Sequence, residues 1–449
     1  MDDVLVGIDV GTTTCKAVVL SPEGRPLRVG SSPTPWHTTR DGTEMAPERL
    51  LTAVRGAVAE SLDGLTVRVV AAGVTGMAEA GVLLNGSGNP VSSIIAWHDM
   101  RDAEDFNDLV RTFGDRFSST TGLPLWQQWS LTKHRWLLAH DATSRRAVRR
   151  LGVPEWIAYT WGGAQASEQS LASRTGWLDL DARDWWSETL EWAGASRSLL
   201  PDLVGPLESV GVVTSDAVPS LTGAVLAIAG HDHQAAALGA GANKPGVVFN
   251  SCGTAEAFVC SAPVGLAASA VLDLTRSGIT VGWNVLPERL CLLGATRGGL
   301  LLRRTLDLLG VDHFDAQAAL GEAALASGPP MVHVAGADSG QMVITDVADG
   351  CRPEHLWRAA LQSAVDAGTR MHERMEAATG RHDSTVAAGG WVHDAAFMAL
   401  KRERLGDVRA IEAPEAGARG AALVAACAAG LYAGPADLPA LPATPPGGG

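Results

Sequence analysis

Two short hairpins constrain this chain more than any other feature. In "VGIDVGTTTCKAVVL" (Val6–Leu20) a buried strand ends near Asp9, and Gly11, Thr12, Thr13 and Thr14 fill the corner before the next apolar run. A plain hairpin needs only a two-residue Asn-Gly turn. Glycine lets backbone amides approach an anion closely, threonine hydroxyls add donors, and a strand-end carboxylate can hold a cation or a water. The corner therefore reads as a phosphate cradle beside an acid. "GVVFNSCGTAEAFVC" (Gly246–Cys260) repeats the design in the second half, with Gly253 and Thr254 at the corner. Two such corners could grip a polyphosphate from both sides, which predicts two lobes of related architecture.

The remaining pattern agrees. At 449 residues the chain is too long for one simple core. Apolar runs alternate with helix-period stretches such as "PERLLTAVRGAVAESL" and "EHLWRAALQSAVDAGTRMHERMEAATG", the mark of an α/β protein. The expected lobes are 1–222 and 223–434, divided between Leu221 and Leu226 where "GAVLAIAGHDHQ" starts afresh, and the Pro/Gly-rich stretch 435–449 is expected to be disordered. "GVLLNGSGNPV" (Gly81–Val91) reads as a hairpin and "SRRAVRR" (Ser144–Arg150) as a solvated helix face. The net charge of −14, with Lys and Arg otherwise scattered, excludes a nucleic-acid footprint. Six cysteines lie far apart without a CxxC, which argues against zinc or a disulfide scaffold and for a reducing cytoplasm. The acidic start lacks a signal peptide's basic region, and no apolar run approaches the ~20 residues that span a bilayer. A cytoplasmic protein without a membrane partner is expected.

Three further stretches carry chemistry. In "AIAGHDHQ", Asp232 follows an apolar strand, and ligands gather at the carboxyl ends of parallel strands. In extended geometry His231 and His233 would share one face and Asp232 the other. A catalytic carboxylate is the better reading than a metal-binding triplet, because the distant His and Asp partners of a metal phosphohydrolase are missing. "GVTGMAEAGVLL" and "IIAWHDMRD" place Glu79, Trp97 and Asp99 after strands, where they offer hydroxyl acceptors and an apolar face suited to a polyol.

Taken in order, "GIDVGTTTCKAVVL", "GVTGMAEAGVLL", "AWHDMRD", "SEQSLASRTGWLDL", "AGHDHQAAALGAG", "NSCGTAEAF", "AAGGWVHD" and "EAGARGAALVAACAAG" resemble the FGGY family of carbohydrate kinases, in the actin/Hsp70 ATPase superfamily, from about Val4 to Tyr432. The resemblance implies two actin-like (ribonuclease H-like) ATPase lobes with the active site in the cleft between them. It implies ATP and Mg²⁺ as cofactors and a ketose, polyol or sugar acid as substrate. Gly11, Thr12 and Thr13, with Lys16, match the first phosphate loop, and Gly253 and Thr254 the second. Gly298 in "ATRGG" would lie near the nucleotide, and Gly389 and Gly390 match the adenosine motif. Asp232 matches the residue that deprotonates the sugar hydroxyl, and Asp9 with Asp232 would sit by the magnesium. The substrate would meet Met77, Ala78, Glu79, Trp97, Asp99, Asp232 and His233. A homodimer is compatible with the resemblance.

The sugar positions depart from the family's pattern. Xylulokinases carry Met-His-Gly where this chain has Met77-Ala78-Glu79, and glycerol kinases carry Arg-Glu, matched only by Glu79. His233 stands where Asn or Gln is usual, and "WHD" replaces "WND" or "WQD". These changes bear on the sugar rather than the reaction class. "SLASRTGWLDL" sits nearest xylulokinase-like and gluconokinase-like members, so a xylulokinase-like substrate is the first expectation, with gluconokinase- or glycerol/tetritol-kinase-like specificity as the alternative. A chaperone-type ATPase would leave Glu79, Trp97, Asp99 and Asp232 unexplained. A non-catalytic sugar sensor would not need both Asp9 and Asp232.

Overall fold

A computed structural model describes residues 1–214, 216 and 218–441. Its first hairpin pairs β1 (Asp2–Val10) with β2 (Thr14–Leu20), and the strand ends leave Gly11-Thr12-Thr13 as the corner. β3 (Pro26–Pro33) continues antiparallel beyond β2, and helix α1 (Pro47–Leu62) leads to β4 (Val67–Gly76), which lies parallel to β1. β5 (Ser209–Val212) and β6 (Val225–His231) complete a sheet of order β5-β6-β4-β1-β2-β3. After α2 (Asp232–Gly239) the plan repeats. β7 (Val247–Cys252) and β8 (Glu256–Ala262) form the second hairpin, Cys252 opposite Glu256, again with a three-residue corner. β9 (Ile279–Trp283), β10 (Leu290–Thr296), β11 (Ser384–Ala388) and β12 (Val408–Ala410) complete the order β9-β10-β8-β7-β11-β12. Each six-stranded sheet therefore holds three antiparallel strands followed by two parallel ones, plus one antiparallel edge strand (β5 in the first, β9 in the second). In the second lobe helices α3 (Gly298–Leu309), α4 (Pro353–Thr379) and α5 (Ala395–Leu405) make the connections.

The boundary expected at 222 is corrected by this topology. β6 lies parallel to β4 in the first sheet, so the first lobe runs on to the end of α2. A strand buried on both faces reads as a continuous apolar run and carries no mark of the sheet it will join.

Alternation along β1 assigns the two faces of the first sheet. Val4, Val6, Ile8 and Val10 pack into the core under α1, while Leu5 packs against α6 (Ala416–Ala428), the last long helix described. A Cβ at Gly7 would overlap the carbonyl of Ala418, and one at Gly420 would overlap that of Ala235. The small residues of "GARGAALVAACA" thus let α6 lie backbone-to-backbone on α2 and the sheet.

Two smaller expectations also change. The stretch 435–449 is held at least to Leu441: Asn243 Nδ2 donates to the Pro435 carbonyl at 3.1 Å, and Arg419 Nη2 donates to the carbonyls of Pro439 and Ala440 at 3.0 and 3.3 Å. Residues 442–449 lie outside the described residues. "SRRAVRR" is a single 3₁₀ turn followed by a strand (Arg149–Gly152) that pairs with Gly81–Leu84. The hairpin expected at 81–91 forms on the other side of Gly81–Leu84, where Leu84 bridges Pro90 and the Val91 N–H donates to the Leu83 carbonyl at 2.9 Å. Arg150 is buried and donates to Ser130 Oγ at 2.7 Å and the Glu79 carbonyl at 3.3 Å. The backbone carbonyl and hydroxyl that recruit it come from distant segments and leave no local signal.

Candidate active site

β6 ends at His231, whose extended backbone caps α2, and Asp232 is the first residue of that helix. The chain therefore leaves extended geometry at the acid. Thr75 Oγ1 donates to the Gly230 carbonyl at 2.6 Å, and the His231 N–H donates to Ser170 Oγ at 3.0 Å. Ser170 in turn donates to Glu168 at 2.5 Å, and Glu168 is itself pushed up to about 7 by burial. Gly230 turns through φ +75°, a conformation that a side chain at this crowded point would oppose. Asp232 is thus aimed by neighbours on three elements. Its side chain keeps 28% exposure, and the His233 N–H donates to Oδ1 at 2.6 Å. Its carboxyl is raised from 3.8 to about 7, first by enclosure in protein and then by the charge of Glu79. His231 and His233 are both held below the usual imidazole range, mainly by burial and then by the charge of Arg174.

Asp9 points to the α6 side of the first sheet. Its carboxyl is also raised to about 7, by burial first and then by the Asp232 charge, so the two acids face each other electrostatically. Among the described residues Asp9 Oδ1 is buried without a hydrogen-bond partner. An orphaned carboxylate oxygen next to a second acid fits a hard divalent cation. Gly417 makes room for it, since a Cβ there would overlap Asp9 Oδ2. Gly417→Ala is expected to displace that carboxylate and lower kcat about 100-fold, the size of effect given by a ~1 Å misplacement. Steady-state kinetics with Tm as a folding control check this. Lys16, expected at the nucleotide, is instead ion-paired with Glu415 at 2.7 Å.

A cavity of about 590 Å³ opens beside Asp232 and is lined from both lobes. It brings together Thr12, Met77, Glu79, Trp97, Asp232 and His233 from the sequence-derived set. Trp97 Nε1 donates to Thr12 Oγ1 at 2.9 Å and Trp36 Nε1 to the Thr12 carbonyl at 2.7 Å, so the substrate side and the first corner share a framework. Two expected substrate residues are not brought in. Ala78 is buried in the first-lobe core. Asp99 is used up internally: it accepts the Thr43 N–H at 2.5 Å and the Arg101 N–H and guanidinium at 2.9 Å. Burial would raise that carboxyl, but these bonds outweigh it and hold the group below the ordinary range. Asp99 clamps the loop that carries Trp97.

Arg174 is the residue that sequence reasoning missed. Its Nη2 and Nε donate to Glu79 Oε1 at 2.6 and 2.9 Å, and its Nη1 reaches Thr280 of β9 at 2.9 Å. It lines the cavity, packs over the Trp129 ring and ties the lobes together. It is the only cation in the quoted "SEQSLASRTGWLDL", which was the available signal. Trp126 and Gln128 complete the same wall.

The second corner sits at the mouth of the other lobe. Gly253 and Thr254 are not buried, and the Gly253 carbonyl lies where a Cβ of Gly299 would be. Gly298 and Gly299 open the 12-residue helix α3, and Thr296 and Arg297, just before it, line the cavity. The Gly298 N–H donates to Thr296 Oγ1 at 3.2 Å, and a helix N-terminus with close glycines suits an anion. Gly389, at φ +112°, lies against the Cys252 backbone, and Gly390 is open, so the "AAGGW" turn borders the same corner. Trp391 fills the space behind it against Trp357. Beneath the corner, Glu256 and Lys401 form an ion pair with almost no exposure.

Two lobes of repeated actin-like plan, each presenting a Gly-Thr corner to a cleft with two acids, define a class of phosphotransferase. The sequence matches the FGGY family of carbohydrate kinases, N-terminal domain, over residues 4–239, more than half of the chain. The chain belongs to that family, whose members transfer phosphate to an alcohol. It is similar to a glycerol kinase from Janthinobacterium sp., 30% identical over 69% of this chain and 65% of the relative. A glycerol kinase from Nitratidesulfovibrio vulgaris is 27% identical over 98% and 93% of the two chains. In fold it matches a xylulose kinase from Rhodospirillum rubrum with a TM-score of 0.88, at 23% identity, covering 98% of this chain and 92% of the other. Among the described residues no helix is long and apolar enough to cross a membrane.

Proposed function

We propose that this chain transfers the γ-phosphoryl group of ATP to a hydroxyl of a small open-chain polyol, with Asp232 as the base. The observation that carries the reading is one cavity in which Asp232, Glu79, Arg174 and His233 meet Thr12 of the first corner and Thr296–Arg297 beside the second. The acceptor O–H donates to the Asp232 carboxylate and gives it the proton as its oxygen attacks the γ-phosphorus. The bond from that phosphorus to the bridging oxygen breaks, and ADP leaves. Phosphoryl transfer needs positioning and charge neutralisation more than covalent help, so a single carboxylate suffices as the protein's chemical group. Asp9, with Asp232, would hold Mg²⁺, which neutralises phosphate charge when bound. The corner amides of Gly11–Thr13 and Gly253–Thr254 would orient the phosphates, and Gly389–Gly390 would border the adenosine.

Glycerol is the acceptor favoured first. Position 78 lacks the arginine of glycerol kinases, but Arg174 brings a guanidinium to Glu79 from another segment. Donor and acceptor then stand side by side for adjacent hydroxyls, and the similar glycerol kinases point the same way. A ketose such as xylulose is the second reading, favoured by a cavity of about 590 Å³ with two tryptophans on its wall.

ADP release with Mg-ATP across glycerol, erythritol, xylulose, xylitol and gluconate tests both. Turnover on one compound, lost in Asp232→Ala, is expected; ADP release that needs no acceptor and survives that change would sink the reading. A base raised to about 7 must lose its proton to act, so kcat/KM should climb with pH through that region. Glu79→Gln removes the neighbouring negative charge and should move this limb to lower pH. An unmoved limb would mean that Glu79 does not sense Asp232.

A further inference from the structure

Outside the cavity lining, the C-terminal end of α4 holds a cluster that phosphoryl transfer does not use. His372 and Glu376 are one turn apart on the helix, and His382 follows in the short connection to β11. One ligand atom from each lies within 4.8 Å of the other two. His382 Nδ1 is 3.2 Å from His372 Nε2 and 3.9 Å from Glu376 Oε1, and His372 Nδ1 is 3.8 Å from that oxygen. The two imidazoles are nearly covered, with side-chain exposures of 8% and 3%, while the carboxylate, at 30%, accepts the His382 backbone N–H at 2.8 Å through Oε1.

Proton placement sharpens the geometry. Thr379 Oγ1 donates its single proton to the Met375 carbonyl at 2.9 Å, the usual back-bond of a helical threonine. It must then accept from His382 Nε2, 3.0 Å away. In that arrangement His382 carries its proton on Nε2 and turns its Nδ1 lone pair to His372 and Glu376. A partner that orients the distal nitrogen in this way is what metal-binding histidines ordinarily have. Tetrahedral ligands at about 2.05 Å from an ion stand about 3.3 Å apart, close to the observed spacing of the two nitrogens. The carboxylate must swing inward to join them, since the three ligand atoms now lie within 4.8 Å of one another.

We propose that His372, Glu376 and His382 bind a borderline divalent ion of the zinc class, with the fourth position open to water. Two imidazoles and one carboxylate suit Zn²⁺, Co²⁺ or Ni²⁺ and not Mg²⁺, which prefers an all-oxygen shell. The ion would staple the end of α4 to the segment entering β11, the strand that delivers Gly389 to the second corner.

The probe is Co²⁺ alone, titrated into untagged full-length protein in excess Mg²⁺ so that Asp9 and Asp232 do not compete. One saturable site per chain with the visible band of four-coordinate Co²⁺ is expected, displaced by Zn²⁺. Glu376→Gln and His382→Ala should each raise the apparent Kd at least ~10-fold, while Tm in EDTA confirms that the variants are folded. Zn²⁺ should raise the Tm of the wild type and not of the variants. Absence of saturable binding, or a site that survives unchanged in the folded Glu376→Gln protein, overturns the proposal. A thiolate charge-transfer band, which would place the ion on Cys351 or Cys427, overturns it equally.

Discussion

Asp232→Asn is expected to leave a protein that is better folded and catalytically dead. Loss of the base should lower kcat about 10²–10⁴-fold. The same change removes a carboxyl that the fold strains. Asp9 and Asp232 are both raised from 3.8 to about 7, so between these values the folded chain holds protons that the unfolded chain has released. Stability linked to these groups is therefore full below about 4 and is lost as pH climbs towards 7. At pH 8, with neither cation nor ligand, two enclosed negative charges oppose each other. The amide relieves that opposition, so Tm at pH 8 should exceed the wild-type value, and the difference should vanish near pH 4. Thermal melts at the two pH values decide it: a variant less stable than wild type at pH 8 would show that the carboxylate is not held under strain.

The second large effect lies under the second corner. Lys401 and Glu256 are ion-paired with side-chain exposures of 1% and 2%. The ammonium lies 4.8 Å from the Phe397 ring centre and 5.2 Å from that of Phe258, so little else could solvate either charge. Thr296 Oγ1, 3.5 Å from Glu256, connects the pair to the turn before α3. Lys401→Ala strands a buried carboxylate and should cost about 3–5 kcal/mol, whereas removing both charges with apolar residues of similar size should cost far less. Urea unfolding of Lys401→Ala and of Glu256→Leu/Lys401→Met measures the difference. A double variant as unstable as the single one would refute the argument. The KM for ATP in the double variant then reports whether the pair also holds the corner in shape.

Much of this plan could be read from residues alone, because both corners are local. Gly11–Thr13 and Gly253–Thr254 announce themselves through strand, turn chemistry and strand within fifteen residues, and both hairpins form there. Asp232 was likewise marked by the apolar run before it. What sequence reading missed was decided between segments. β6 joined the first sheet because β4 offered it an edge, a fact that no residue of β6 encodes. Arg174 enters the cavity because Glu79 and Thr280, 95 and 106 residues away, converge on its guanidinium. Asp99 was read as a sugar ligand, yet Arg101 two residues on and Thr43 across the loop consume its oxygens. Ala78 follows the same lesson, since its neighbours Met77 and Glu79 reach the cavity while it turns into the core.

The placing of α6 also dictates when the first lobe can exist. Leu5 and Gly7 of β1 and Gly73 of β4 find their covering only in residues 416–428, which leave the ribosome some four hundred positions later. Until then that side of the first sheet has only α2 for cover, so residues 4–239, though recognisable as a unit of sequence, complete their core only with a helix from outside that span. The nascent chain must hold its opening strands unsatisfied, or shielded by other proteins, through almost the whole of its synthesis. Asp9 receives its counterpart at Gly417 in the same late step, and catalytic competence therefore arrives together with the completed fold.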